Sequence, residues 1–128
     1  MRVLAVDDDA VAPILFGAIA KKMDIEIVTA VDCSTALSLL KSSQFDVILM
    51  DLNLKGVDGF ECTRQVRAWQ EEVGCRQPII AVTGYAMSED RTMCLQSGMD
   101  DYLSKPYQIK DLSELLIKWS QSSITPVV

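Results

Sequence analysis

Five polar residues stand directly after short apolar runs: Asp7 and Asp8 after the first run, Asp51 after a third, Thr83 after a fourth and Lys105 after a fifth. If those runs are strands of one parallel sheet, their carboxyl ends share an edge, where ligands bind in open α/β sheets. Carboxylates gathered there repel one another, and a cation among them lets all stay ionised. Mg2+ suits the set because it prefers oxygen ligands and shares its octahedron with phosphate oxygens, and Mn2+ is expected to substitute. Thr83 and Lys105 add a hydroxyl and an ammonium that can meet the remaining oxygens of a phosphoryl group. Phosphoryl transfer asks for little more than an in-line nucleophile, charge neutralisation and positioning.

The elements that must position these residues follow from hydrophobic periodicity. Apolar strand-length runs alternate with helix-period segments five times, the pattern of βαβ units and a parallel sheet. A buried strand over 3–6 precedes a helix with Val11, Ile14, Leu15, Ala18 and Ile19 at helical spacing and Pro13 in its first turn. A second strand, over 25–30, alternates more and suits an edge. Asp32 or Ser34 caps the next helix, with Ala36, Leu39 and Leu40 facing inward. After the strand ending on Asp51, Asp58 caps a helix carrying Cys62, Val66, Trp69 and Val73, which Gly74 closes. Pro78 opens the fourth strand, over 79–82. A helix over 88–97 stops at Gly98, and its thin apolar stripe predicts the weakest packing of the five. A short strand at 102–103 leads to Lys105-Pro106, then to a helix bearing Leu112, Leu115, Leu116 and Trp119. The expected fold is α/β, a single doubly wound domain over 1–120, with 121–128 a flexible tail.

Composition narrows the function. The 128 residues are 49% hydrophobic, enough for one core. A net charge of -6 argues against direct nucleic-acid binding, which favours a basic face. No apolar run is long enough to span a membrane and no leader opens the chain, so a cytoplasmic location is expected. Cys33, Cys62, Cys75 and Cys94 show no C-x-x-C pair, and with no histidine a zinc site lacks ligands. Four reduced, mostly buried thiols are expected. The absence of histidine also means that a histidine nucleophile or base must come from elsewhere.

Val6-Asp7-Asp8-Asp9, Met50-Asp51-Leu52-Asn53 with Gly56, Asp58 and Gly59, Val82-Thr83-Gly84 and Lys105-Pro106 together resemble the response-regulator receiver family over nearly the whole chain. The resemblance implies a flavodoxin-like sheet of order 2-1-3-4-5. It implies that Asp51 is phosphorylated from a phosphohistidine on a histidine kinase or histidine phosphotransfer protein. Asp8 and Asp51 would bind Mg2+ directly, helped by the Asn53 carbonyl, with Asp7 acting through water. Lys105 would pair with the phosphoryl group, the Lys105-Pro106 bond would be cis, and Thr83 with Tyr102 would form a switch. Such a domain catalyses only its own phosphorylation and dephosphorylation, as a monomer or a phosphorylation-dependent dimer. The stretch from Gly98 to Pro106 is similar to receivers of hybrid sensor kinases.

Plainer and rival readings stand beside these. Asp9 reads as a helix N-terminus complementing the dipole, and Asp100 and Asp101, at the opposite end of the sheet, as solvated. Asp7-Asp8-Asp9-Ala10-Val11, Thr83 and Lys105 are also similar to a small haloacid-dehalogenase-like Mg2+ phosphatase with Asp7 as nucleophile. That family's acidic pair should follow the lysine, whereas Asp100-Asp101 precede it, and Asp51 would have no role. A nucleotide or flavin module lacks its phosphate loop after the first strand. Lys55 stands where receivers frequently carry proline. Tyr85 is expected to slow attack by water on the phosphoryl group, and Phe16, off the inner helical stripe, is expected with Pro106 to dock a partner.

Overall fold

The structure, a computed structural model, describes residues 1–84 and 88–122, without the side chains of 88–90 and 121–122. Five strands, β1 (Arg2–Val6), β2 (Glu26–Ala30), β3 (Val47–Asp51), β4 (Ile79–Thr83) and β5 (Asp101–Ser104), alternate with five helices. These are α1 (Ala12–Met23), α2 (Cys33–Ser42), α3 (Gly59–Val73), α4 (Ser88–Gln96) and α5 (Ile109–Ser122). All strand pairs are parallel, in the order β2-β1-β3-β4-β5. Every strand therefore ends at the same edge. Because β1, β3 and β4 lie inside the sheet with helices on both faces, they are apolar except at one end, where β1 begins on Arg2, β3 finishes on Asp51 and β4 on Thr83, whereas edge strand β2 is mostly half-buried.

Two apolar layers flank the sheet. Leu4, Ile48, Met50 and Ile79 pack under α2 and α3 with Ala36, Leu40, Cys62 and Val66. Val3, Leu49 and Ile80 pack under α1 and α5 with Phe16, Ile19, Leu112 and Leu116. The caps follow side-chain chemistry: Asp32 accepts from the Thr35 amide at 2.8 Å and Asp58 from the Glu61 amide at 2.9 Å. At the end of α4, Gly98 (φ 106°) donates to Leu95 O while Met99 donates to Cys94 O, a Schellman closure. Helix α5 continues through Ser122, two residues past the expected boundary.

Four expectations are corrected. In α1 the buried positions are Ala12, Phe16 and Ile19, while Val11, Ile14 and Leu15 are 63, 75 and 44% exposed. Phe16 is thus core, not an exposed anchor. The helix has apolar residues at two phases, and the one that inserts the large aromatic ring buries more area. In α3 the stripe runs through Cys62, Val66 and Gln70, leaving Val73 55% exposed. Cys33 and Cys62 form a disulfide with a Cα–Cα distance of 5.5 Å, because the first turns of α2 and α3 meet on one face of the sheet. Among the described residues, Cys75 and Cys94 stand outside any disulfide.

Nor are Asp100 and Asp101 solvated. Asp100 accepts from Arg67 at 2.6 Å, Arg76 at 2.7 Å and the Ile79 amide at 2.9 Å. Arg67 also donates to the carbonyls of Gly98 and Gln77 and to Gln70, which is itself bonded to Gln77. Burial pulls the Arg67 guanidinium below its ordinary range, against the pull of Asp100. Asp101 accepts from the Trp119 indole at 2.8 Å and its own neighbour's amide, with Lys118 at 3.4 Å. A polar network thus locks the amino edge of the sheet, where β4 and β5 begin.

Candidate functional site

The opposite, carboxyl edge holds the acids. Asp7 and Asp8 follow β1, Asp51 is the last residue of β3, and these strands are neighbours. One carboxylate oxygen from each of Asp7, Asp8 and Asp51 lies within 4.8 Å of the other two. Lys105, carried past the end of β5, places Nζ 3.5 Å from Asp7 Oδ2 and 3.6 Å from Asp51 Oδ2. The ammonium is an ion-pair partner shared by two carboxylates, slightly beyond close hydrogen-bond range.

Each acid also takes a backbone amide: Asp9 N–H donates to Asp7 at 2.9 Å, Asn53 N–H to Asp51 at 3.0 Å and Lys55 N–H to Asp8 at 2.9 Å. Burial raises the Asp7 pKa above its usual value, with the Asp51 charge pushing the same way and the Asp9 amide and Lys105 opposing. The Tyr107 phenol is likewise raised, by burial and then by the Asp7 charge. Three converging carboxylates against one ammonium leave an excess of negative charge and oxygen donors suited to a hard divalent cation. The donor set fits Mg2+.

The loop after β3 is pressed against the site. Gly59 begins α3 so close to β3 that a Cβ there would lie 2.4 Å from Asp51 O. Thr83 is fully buried at the end of β4, pairs in register with Ser104, and its carbonyl accepts from Lys105 N–H at 2.7 Å. The Lys105–Pro106 peptide is cis.

Thus Asp7, Asp8, Asp51 and Lys105 come together, with Asn53 touching Asp51 through its amide. Tyr102 sits in register with Ala81, its hydroxyl oxygen buried and its ring packed on the α2–α3 face, not in the acidic cluster. Asp9 accepts from Val11 N–H at 2.9 Å and opens α1. Pro106 is exposed, Phe16 is core, and Tyr85 lies outside the described residues. A groove of about 410 Å³ runs from Asp7 and Lys105 between Leu15, Pro106 and Tyr107. Sequence reasoning missed Tyr107 and the Lys55 amide. The aromatic beside Pro106 was a visible signal for the first, whereas a backbone donor has none.

A family model described as the response regulator receiver domain matches residues 3–117. The sensor protein GacS of Pseudomonas syringae pv. syringae is 37% identical over 120 residues, covering 93% of this chain and 13% of that protein. The transcription factor SKN7 of Saccharomyces cerevisiae is 36% identical over 123 residues, 96% of this chain and 19% of that protein. The chain thus spans less than a fifth of the length of these two relatives. Among solved structures, the receiver domain of sensor histidine kinase PA1611 from Pseudomonas aeruginosa PAO1, with magnesium in its active-site cleft, has TM-score 0.82 and 34% identity, covering 94% of this chain and 97% of that one. The receiver domain in the complex of Ypd1, a histidine phosphotransfer protein, with Ssk1, both from S. cerevisiae, has TM-score 0.88 and 26% identity, covering all of this chain and 92% of that one. The phosphatase alternative finds no support: the acidic pair at 100–101 is tied down at the far edge, and Asp51 is a member of the acidic cluster. No helix among the described residues is long and apolar enough to cross a membrane.

Proposed function

Because the chain belongs to the response regulator receiver family, with its place in two-component and phosphorelay signalling, we propose that Asp51 is its phosphoacceptor. The donor is a phosphohistidine on a histidine kinase or histidine phosphotransfer protein, since this chain has no histidine of its own. An Asp51 carboxylate oxygen attacks phosphorus in line; the P–O bond forms as the P–N bond breaks, and the partner's imidazole leaves with the bonding electrons. Asp8, Asp51 and the Asn53 carbonyl hold Mg2+, with Asp7 acting through water and Mn2+ able to substitute. When bound, the metal neutralises charge on the phosphoryl oxygens. Lys105 shifts from its shared position between Asp7 and Asp51 to a phosphoryl oxygen. The observation that carries the reading is the convergence of three carboxylates and one lysine on the end of β3.

The readout runs through β4 and β5. The Thr83 hydroxyl turns toward the phosphoryl group and Tyr102 takes up the space released, which biases the α4–β5–α5 surface between two states. The domain works in the cytoplasm, catalyses only its own phosphorylation and dephosphorylation, and is a monomer or a phosphorylation-dependent dimer. Partner docking uses the exposed Val11, Leu15 and Pro106, which line the groove leading to Asp7 and Lys105, together with the exposed Ile14 in the first turn of α1.

Incubation with acetyl phosphate and Mg2+, followed by mass spectrometry, tests the assignment. Wild type gains one phosphoryl group; Asp51→Asn and chelation of Mg2+ abolish the gain. Labelling that survives Asp51→Asn would move the nucleophile elsewhere.

A further inference from the structure

We infer that the backbone N–H of Lys55 is a positioning group for Asp8, coupling closure of the β3–α3 loop to metal affinity; the inference rests on the Mg2+ reading above. The three acids take their amides from different distances. Those of Asp7 and Asp51 come from two residues further along the same chain segment, Asp9 and Asn53, and are local turns that each strand end makes by itself. The amide of Asp8 comes from Lys55, 47 residues away, at 2.9 Å.

Among the three, only this bond joins two segments. Asp8 is less buried than its two neighbours, so fewer packed atoms restrict its rotamer. Its carboxylate points at the other two acids while the loop from Asn53 to Asp58 is folded over it. Gly56, at φ 80°, turns the loop, and Gly59 N–H closes it on Leu52 O at 3.2 Å. A carboxylate oxygen has two lone pairs, so Asp8 can keep this bond and still ligate a cation. Hydrogen bonds of this kind hold ligands in their binding orientation, and losing one typically weakens metal binding 10- to 100-fold. By linkage, a metal on Asp8 and a closed loop stabilise each other. The Lys55 side chain is exposed and plays no part in the bond.

Proline and alanine separate the amide from the side chain. Both remove the ammonium, and only proline removes the N–H; receivers with proline at this position lack the bond, so the coupling inferred is a feature of this chain's loop. Mg2+ affinity by titration calorimetry is expected to fall about 10-fold in Lys55→Pro and to stay within about twofold in Lys55→Ala. Equal affinities in the two variants, whether both normal or both weak, overturn the inference. A wild-type chain that binds no Mg2+ at millimolar concentration overturns the metal reading instead.

Hydrogen exchange at the Lys55 amide decides the matter even if the proline variant fails to fold. Protection in the wild type is expected to drop at least 10-fold in Asp8→Ala and to rise when Mg2+ is added. Protection indifferent to Asp8→Ala, or falling with Mg2+ because metal and amide compete for the oxygen, overturns it.

Discussion

Gly59→Ala should be destabilising in a helix where alanine is intrinsically favoured. The added Cβ would meet Asp51 O at 2.4 Å, Leu52 Cα at 2.8 Å and Asp51 C at 3.1 Å, all backbone atoms of the strand that carries the phosphoacceptor. Reaching ordinary contact with the carbonyl oxygen requires an opening of about 1 Å. Overpacking of that kind costs about 1–3 kcal/mol, here toward the upper end because no flexible side chain can yield. Better helix propensity returns at most about 1 kcal/mol. The net loss is roughly 2 kcal/mol, or about 5–10 °C in Tm for a domain of this size. Gly17→Ala is the control: it lies within α1, a Cβ there meets nothing within 4 Å, and it should gain about 0.5–1 kcal/mol. Urea unfolding of both variants gives the sign, and acetyl-phosphate labelling shows whether the shift reaches Asp51. A Gly59→Ala protein as stable as wild type and labelled at the same rate would refute the close-approach argument.

Other perturbations have defined outcomes. Alkylation in denaturant without reductant should modify two thiols, Cys75 and Cys94, and four after reduction; reduction should lower unfolding stability by about 3–4 kcal/mol, because the Cys33–Cys62 bridge closes a loop across a separation of 29 residues. Four reactive thiols at the outset would show the bridge absent. Burial acts to raise the Asp101 pKa, but the Trp119 indole, the Tyr102 amide and Lys118 outweigh it and hold it below 3.8. A depressed folded-state pKa contributes stability above the unfolded value and loses it as pH falls through the folded one. Asp101→Asn should therefore cost about 1–2 kcal/mol at pH 7 and progressively less below pH 4; a gap constant across that range would contradict the assignment. Ile14→Asp, at a position 75% exposed, should leave stability and acetyl-phosphate labelling unchanged while slowing transfer from a phosphorylated histidine phosphotransfer protein at least 10-fold. Equal transfer rates would place docking elsewhere.

The convergence of Asp7, Asp8, Asp51 and Lys105 was legible because each follows an apolar strand-length run and parallel pairing brings such strand ends to one edge. Taken singly, each would sit at no cost in a solvated loop. The phase of α1 was not legible, since Val11, Ile14, Leu15, Ala18 and Ile19 form one apolar stripe and Ala12, Phe16 and Ile19 another. Only the sheet chooses between them, by accepting the phenyl ring. Asp100 looked solvated because its partner Arg67 lies 33 residues away on a different element. Cys33 and Cys62 carry no spacing signal for the same reason: α2 and α3 become neighbours only when folded. The Lys55 amide was invisible in principle, because any residue but proline supplies one.

The direction of the elements has an architectural consequence. Strand β1 starts at the amino edge of the sheet, and α5, running antiparallel to the strands, returns to that edge by Ser122. Arg2 and Ser122 therefore both lie on the side away from Asp51, where the Arg67–Asp100 network stiffens the base. A unit built this way can be spliced into a larger chain without its neighbours crowding the reactive edge. That portability accords with its matching only 13% of GacS and 19% of SKN7.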